Sequence, residues 1–212
     1  QISTDEVYGS AKDEFFLEGD NLNPSSPYSA SKAGADMLCN SYAKTFGIKI
    51  KTVRPANNFG PFQQPEKLIP FSISNIIENN KVEIYGDGSN VRHWLYVKDT
   101  VKGIIKIIQN GSNGEIYNIG SGVYHANNVL ALKLLNRFDL DKSSINYVQD
   151  RPGHDFKYAV NFEKLSSLGW KPSYDFETAL DETVKWNKDN KVWLDENISE
   201  IRKNRKLRFN SK

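Results

Sequence analysis

Residues 26–55 constrain the fold more than any other stretch of the chain. Ser26 is a good helix N-cap and Pro27 suits the first turn. A helix is predicted over 28–46, and Gly47 then supplies the residue that tolerates a left-handed C-cap. The next segment, 48–55 (IKIKTVRP), reads as a strand stopped by Pro55. Residues 1–3 read as the tail of a buried strand ahead of that helix. Strand, helix and strand in this order predict a right-handed βαβ unit, and so an α/β fold built on a parallel sheet.

The rest of the chain continues the alternation. Residues 12–27 are polar and rich in Pro, Asn and Ser, and predict a loop; 71–80 predict an amphipathic helix. Residues 82–97 read as strand, glycine turn and strand. Residues 97–110 carry an apolar stripe at helical spacing (Val101, Ile104, Ile105, Ile108). A short buried strand over 115–122, a helix over 127–138 and a strand running into a loop over 144–155 follow. Residues 160–190 predict two short helices around Gly169–Trp170–Lys171–Pro172, and the basic end, 201–212, reads as a solvated tail.

Composition excludes several classes. The chain of 212 residues is 38% hydrophobic and 12% aromatic, enough for a core and too much for a disordered segment. Its 28 basic and 26 acidic residues leave a net charge of +2, which argues against a nucleic-acid partner. No apolar run reaches the length of a membrane span. Cys39 is the single cysteine, so no internal disulfide forms and a cytoplasmic setting fits. No metal site is called for.

Two groupings carry chemistry. Tyr28 and Lys32 stand four apart and share a helix face. A nearby ammonium favours the phenolate, so Tyr28 is expected below the ordinary tyrosine value of ~10 and able to take a proton from an alcohol. The plain alternative is a Tyr and a Lys on a solvated face. Small neighbours (Ser29, Ala30, Ser31, Ala33, Gly34, Ala35) leave room for a cofactor or a second helix. Asp5 and Glu6 follow Thr4 where a strand meets a loop, and ligands of parallel sheets bind at such ends. Two adjacent carboxylates divide acid and base work if their environments push their pKa values apart; the alternative is a solvated turn.

In order along the chain come STDEVYG, SPYSASKAGADML, RPANNFGPFQQPEKLIP, IYGDGSNVRHWLYVKD, YNIGS and DRPGHDFKYAVN. Together, from Ser3 to about Asn187, they resemble the dTDP-glucose 4,6-dehydratases of the extended short-chain dehydrogenase/reductase family. Related epimerases and decarboxylases share the Tyr/Lys pair but usually lack the acidic couple behind the Thr. The resemblance implies NAD as cofactor. Tyr28, helped by Lys32, takes the proton of the sugar 4-hydroxyl while hydride leaves C4. Glu6 removes the C5 proton, Asp5 protonates the departing 6-hydroxyl, and hydride returns to C6. Thr4 holds the 4-oxygen.

The resemblance also implies cofactor contacts at Tyr28, Lys32 and Asn58. It implies substrate contacts at Thr4, Asn57, Lys67, Leu68, Glu83, Ile84, Tyr85, Arg92, Asn128, Asp150, Arg151, Pro152, Gly153 and His154, with Arg92 on the diphosphate. The chain departs from the pattern at His93, where Asp is common, at Glu83, where Pro is common, and in NIGSGVYHANN. The last leaves Asn127 and Asn128 as alternatives; Asn128 is favoured because the apolar helix pattern resumes directly after it.

No glycine-rich phosphate turn occurs. The resemblance puts it ahead of Gln1, so the chain is expected to be the C-terminal part of such an enzyme. Residues 1–60 would be the end of a partial Rossmann-type sheet domain, and 61–212 mainly a smaller substrate-binding domain interleaved with it. The whole enzyme is expected to be a homodimer, with preference for a thymidine nucleotide. The rival readings are a nucleotide-sugar 4-epimerase or decarboxylase of the same fold and a non-catalytic sugar-nucleotide binding subunit.

Overall fold

The computed structural model describes residues 1–12, 14–150 and 152–210. In chain order its helices and strands are α1 (Pro27–Phe46), β1 (Thr52–Pro55), β2 (Asn57–Phe59), α2 (Leu68–Ile77), β3 (Val82–Tyr85), β4 (Val91–Tyr96) and α3 (Val97–Asn110). There follow β5 (Ile116–Ile119), β6 (Tyr124–Ala126), α4 (Asn127–Asn136), β7 (Ile145–Val148), α5 (Glu163–Ser167), α6 (Phe176–Asp189) and α7 (Lys191–Asn210). Among the described residues no helix is long and apolar enough to cross a membrane. The chain divides into two compact units. The first is 1–58, 89–126 and 150–174; the second is 59–88, 127–149 and 175–212.

In the first unit β1 and β5 run parallel, Thr52 opposite Ile116 and Pro55 opposite Ile119. On the other side of β1, Ile2 bridges Val53 in parallel, with Ser3 N donating to Val53 O at 2.8 Å and Val53 N to Gln1 O at 2.9 Å. Segment 1–3, α1 and β1 therefore form the expected parallel unit. Ile2 itself is half exposed, and burial begins at Ser3. β4 pairs antiparallel with β6, Arg92 opposite His125 and His93 opposite Tyr124.

Helix α1 starts and stops where its caps dictate. Ser26 accepts from Ser29 N at 3.1 Å, Ser29 returns the bond to Ser26 N, and Gly47 takes the left-handed conformation (φ 65°). Helix α3 departs from its apolar pattern. Its buried residues are Asp99, Thr100, Gly103 and Ile107, while Val101, Ile105 and Ile108 are about half exposed. The reason is close approach: a Cβ on Gly103 would stand 3.3 Å from both Ile119 and Trp170. The helix presses Gly103 together with Ile107 onto a core of Val53, Leu95, Tyr117, Ile119 and Trp170, with Ile104 packed at its edge.

The second unit holds the parallel pair β3–β7 under α2 and α4, around Ile76, Val82, Ile84, Ala131, Leu135 and Ile145. Helix α2 is not amphipathic: every residue from Ile69 to Ile76 is buried, because α4, α6 and α7 all pack on it. Over 201–210 the basic end is helix, continuing α7, and Arg202 bonds Ser74 and Asn75 at 3.1 Å and pairs with Glu78. Strands β3 and β4, adjacent in sequence, lie in different sheets and different units.

Candidate active site

The acidic couple sits on a tight turn at the end of the first strand segment. Thr4 caps a 3₁₀ turn over Asp5–Tyr8, its hydroxyl accepting from Glu6 N at 3.3 Å. Gly9 ends the turn with φ 80°, and a Cβ there would reach 2.4 Å from Asn23 O. Asp5 is 2% exposed. Its Oδ1 lies 3.4 Å from the Thr4 hydroxyl, and its Oδ2 has no hydrogen-bond partner among the described residues.

This environment decides the charge of Asp5. Burial, then the neighbouring Glu6 carboxylate, push it up to about 8, against the opposing pull of the Arg92 guanidinium and the Thr4 hydroxyl. A carboxyl with that value is an acid at neutral pH. A protonated carboxyl beside a second carboxyl group can donate a proton while its neighbour accepts one.

Tyr28, at the start of α1, is half exposed, and the Thr4 hydroxyl acts on its phenol. Its phenol is raised above the ordinary value, first by burial and then by Glu6. The expected lowering by Lys32 is not among the influences on this phenol; Lys32 Nζ donates to the backbone carbonyl of Ile2 at 2.6 Å. The first unit thus brings Thr4, Asp5, Glu6, Tyr28 and Lys32 together.

Arg92 is buried and held by its own surroundings. Nη1 donates to Val91 O at 2.9 Å and Phe156 O at 3.3 Å, Nη2 to Asp155 O at 3.0 Å, and the guanidinium lies 4.4 Å from the Tyr158 ring centre. His154 Nδ1 and Asp150 Oδ1 are paired at 2.7 Å. Gly153 takes φ 66°, and a Cβ there would stand 3.1 Å from Ser25 O; Pro152 is exposed. Arg151 lies outside the described residues. Asn57 Oδ1 is buried with no partner among them, while Asn58 donates to Ala56 O at 2.9 Å and accepts from Thr100.

The remaining predicted contacts belong to the second unit. Lys67 precedes α2 and pairs with exposed Glu66 at 3.2 Å; Leu68 packs against the unit's core. In β3, Ile84 is a core side chain, 1% exposed, so it offers a ligand only backbone; Glu83 and Tyr85 alternate to the less buried face. Asn128 N donates to Gly88 O at 3.0 Å, and its Oδ1 is a buried acceptor without a partner among the described residues.

Sequence reasoning missed several residues of this neighbourhood. Tyr124 and Tyr158 are both raised by burial, the first also by Asp5 and the second also by Glu6. Asp155 accepts from Tyr158 Oη at 2.9 Å and from Ser25. His93 was legible only as a departure from a pattern. Its ring is fully buried and stacks on Tyr124 at 4.3 Å, and Nε2 accepts from Ser121 N at 2.8 Å and Gly122 N at 2.9 Å. An uncharged imidazole therefore accepts from two successive backbone N–H groups.

The chain is 46% identical over 186 residues to the low-salt glycan biosynthesis protein Agl12 of Haloferax volcanii, covering 88% of this chain and 60% of that protein. It is 42% identical to dTDP-glucose 4,6-dehydratase of Streptomyces antibioticus, over 91% of this chain and 58% of the relative. The crystal structure of the dTDP-glucose 4,6-dehydratase DesIV from Streptomyces venezuelae, with NAD and TYD bound, superposes with a TM-score of 0.89 at 41% identity, covering 91% of this chain and 60% of that one. The chain thus spans about 60% of the length of these relatives. The GDP-mannose 4,6 dehydratase family model matches residues 1–183, and with that match the chain belongs to this family.

Proposed function

We propose that the full-length protein dehydrates a nucleotide-activated hexose, dTDP-glucose to dTDP-4-keto-6-deoxyglucose, using NAD. The observation that carries this reading is the couple Asp5–Glu6, with Asp5 pushed to about 8 and Tyr28 at the same place. An epimerase has no need of a protonated carboxyl beside a second carboxylate; elimination of water needs one group to take a proton from carbon and another to protonate the leaving hydroxyl. Relatives named dTDP-glucose 4,6-dehydratase support the substrate.

The residues present fit the cofactor. Tyr28 opens to solvent, Lys32 stands one turn further along the same face, and no atom lies within 4 Å of a Cβ built at Gly34. Tyr28, Lys32 and Asn58 would hold NAD, which supplies a reversible hydride acceptor. Tyr28 takes the 4-hydroxyl proton and Lys32 stabilises the resulting phenolate. Thr4 donates to the 4-oxygen, Glu6 removes the C5 proton and Asp5 protonates the 6-hydroxyl as it leaves. Asn57, Lys67, Leu68, Glu83, Tyr85, Arg92, Asn128 and 150–154 bind the nucleotide sugar, Ile84 through its backbone. The protein is cytoplasmic and pairs as a homodimer, a reading supported by the exposed apolar side of α1, with Met37, Leu38, Tyr42 and Phe46.

The test is incubation of the full-length protein with NAD and dTDP-glucose, followed by mass spectrometry. Loss of one water supports the proposal. A C4 epimer of unchanged mass, or equal turnover of UDP-glucose, overturns the reaction or the nucleotide respectively.

A further inference from the structure

Tyr28, Lys32 and Asp36 succeed each other at four-residue intervals, so they line one face of α1. Each meets one of three consecutive residues. Tyr28 stands beside Thr4, whose hydroxyl acts on its phenol, Lys32 donates to Ile2 O, and Ser3 Oγ donates to Asp36 Oδ2 at 2.9 Å. The first two contacts involve groups that must change partners as a substrate reacts. The third is buried on both sides and does not.

Asp36 Oδ2 also accepts from Arg54 Nε at 2.9 Å, and both side chains of this ion pair are 3% exposed. Arg54 Nη1 donates to Tyr8 Oη at 2.8 Å, and Tyr8 Oη donates to Asn118 Oδ1 at 2.9 Å. The guanidinium lies 4.8 Å from the Tyr8 ring centre. Ser3 and Tyr8 stand just outside Thr4 and at the last residue of the 3₁₀ turn. One buried ion pair therefore grips the turn that carries Asp5 and Glu6 at both ends and ties it to the helix that carries Tyr28.

We propose that the Asp36–Arg54 pair is a positioning device: it fixes Asp5 and Glu6 relative to Tyr28 through Ser3 and Tyr8. The proposal rests on the dehydratase reading for its effect on rate, and on geometry alone for the clamp. A merely structural pair would stabilise the fold without setting the register of the turn. Small displacements of proton-handling groups cost up to ~10²-fold in rate.

The test uses Ser3→Ala and Tyr8→Phe in the full-length protein, since each removes one hydroxyl and leaves the ion pair intact. Expected are a roughly 10- to 100-fold fall in kcat with KM within about twofold, slower deuterium uptake at sugar C5, and faster amide hydrogen exchange over 4–9 than over α1. Asp36→Asn, if it folds, shows the same pattern, more strongly. Parent-like kcat and C5 uptake in both hydroxyl variants overturn the proposal, whatever their melting temperatures. If the parent dehydrates no nucleotide sugar, the function reading fails on its own; unchanged exchange over 4–9 in both variants then overturns the clamp as well.

Discussion

Lys32 Nζ lies 2.6 Å from the carbonyl oxygen of Ile2, and that bond turns the ammonium toward the strand segment. Tyr28, one turn earlier, is left with burial and the Glu6 charge as the main influences on its phenol, and both raise it. The difference in absorbance titration between the parent chain and Tyr28→Phe should therefore show a midpoint above 10. A midpoint below 10 would mean that Lys32 governs the phenol after all.

His93 predicts an acid sensitivity. Its imidazole is uncharged in the fold, held down to about 3 by burial, while an unfolded histidine sits near 6.5. The unfolded chain binds a proton in that window and the folded chain refuses it. Stability from this group is complete above about 6.5 and falls as pH drops toward 3, by up to ~1.4 kcal/mol per pH unit. His93→Gln keeps an acceptor for Ser121 N and Gly122 N that does not titrate. The melting-temperature gap between parent and variant should narrow or reverse from pH 7 to pH 5. A gap constant across that range sinks the assignment.

Two glycines should respond with opposite signs. A Cβ on Gly120 would come within 2.3 Å of His93 Cε1 and 2.8 Å of Phe162, so Gly120→Ala should destabilise by about 1–3 kcal/mol. Gly34, inside α1, has open space around it, so Gly34→Ala should stabilise by about 0.5–1 kcal/mol. Denaturant midpoints of the two variants check both; equal shifts would contradict the packing described for His93.

What the sequence discloses depends on how local the cause is. Ser26, Pro27 and Gly47 act within a turn of themselves, and α1 begins and ends as they predict. The parallel pairing of β1 follows from the order of elements. The apolar stripe of α3 misleads because the buried side was chosen by Ile119 and Trp170, which lie far along the chain and admit only Gly103 at closest approach. The same holds at the site. Tyr28, Lys32, Asp5 and Glu6 are legible from spacing and motif. The clamp through Asp36, Arg54, Tyr8 and Asn118 joins residues up to 110 positions apart, and no local pattern announces it.

The last prediction separates the two carboxyl groups. Asp5 is protonated at neutral pH because burial and Glu6 raise it to about 8, whereas an unfolded aspartate sits near 3.8. The unfolded chain therefore releases a proton that the folded chain keeps. Stability from Asp5 is complete below about 4 and is lost as pH rises toward 8, so Asp5→Asn should stabilise the fold at pH 7 while lowering turnover of the full-length enzyme. A proton-handling side chain is worth ~10²–10⁴-fold in rate, or roughly 3–5 kcal/mol at ~1.36 kcal/mol per tenfold. Asp5→Asn should retain some deuterium uptake at C5 and stall at departure of the 6-hydroxyl, and the parent's fall in rate above pH 8 should vanish from its residual activity. Glu6→Gln should still absorb at 340 nm from reduced nicotinamide but lose C5 uptake. If Glu6→Gln exchanges C5 at the parent rate, Glu6 is not the base. If Asp5→Asn turns over normally, the raised carboxyl is a bystander of burial and the division of labour between the two residues is refuted.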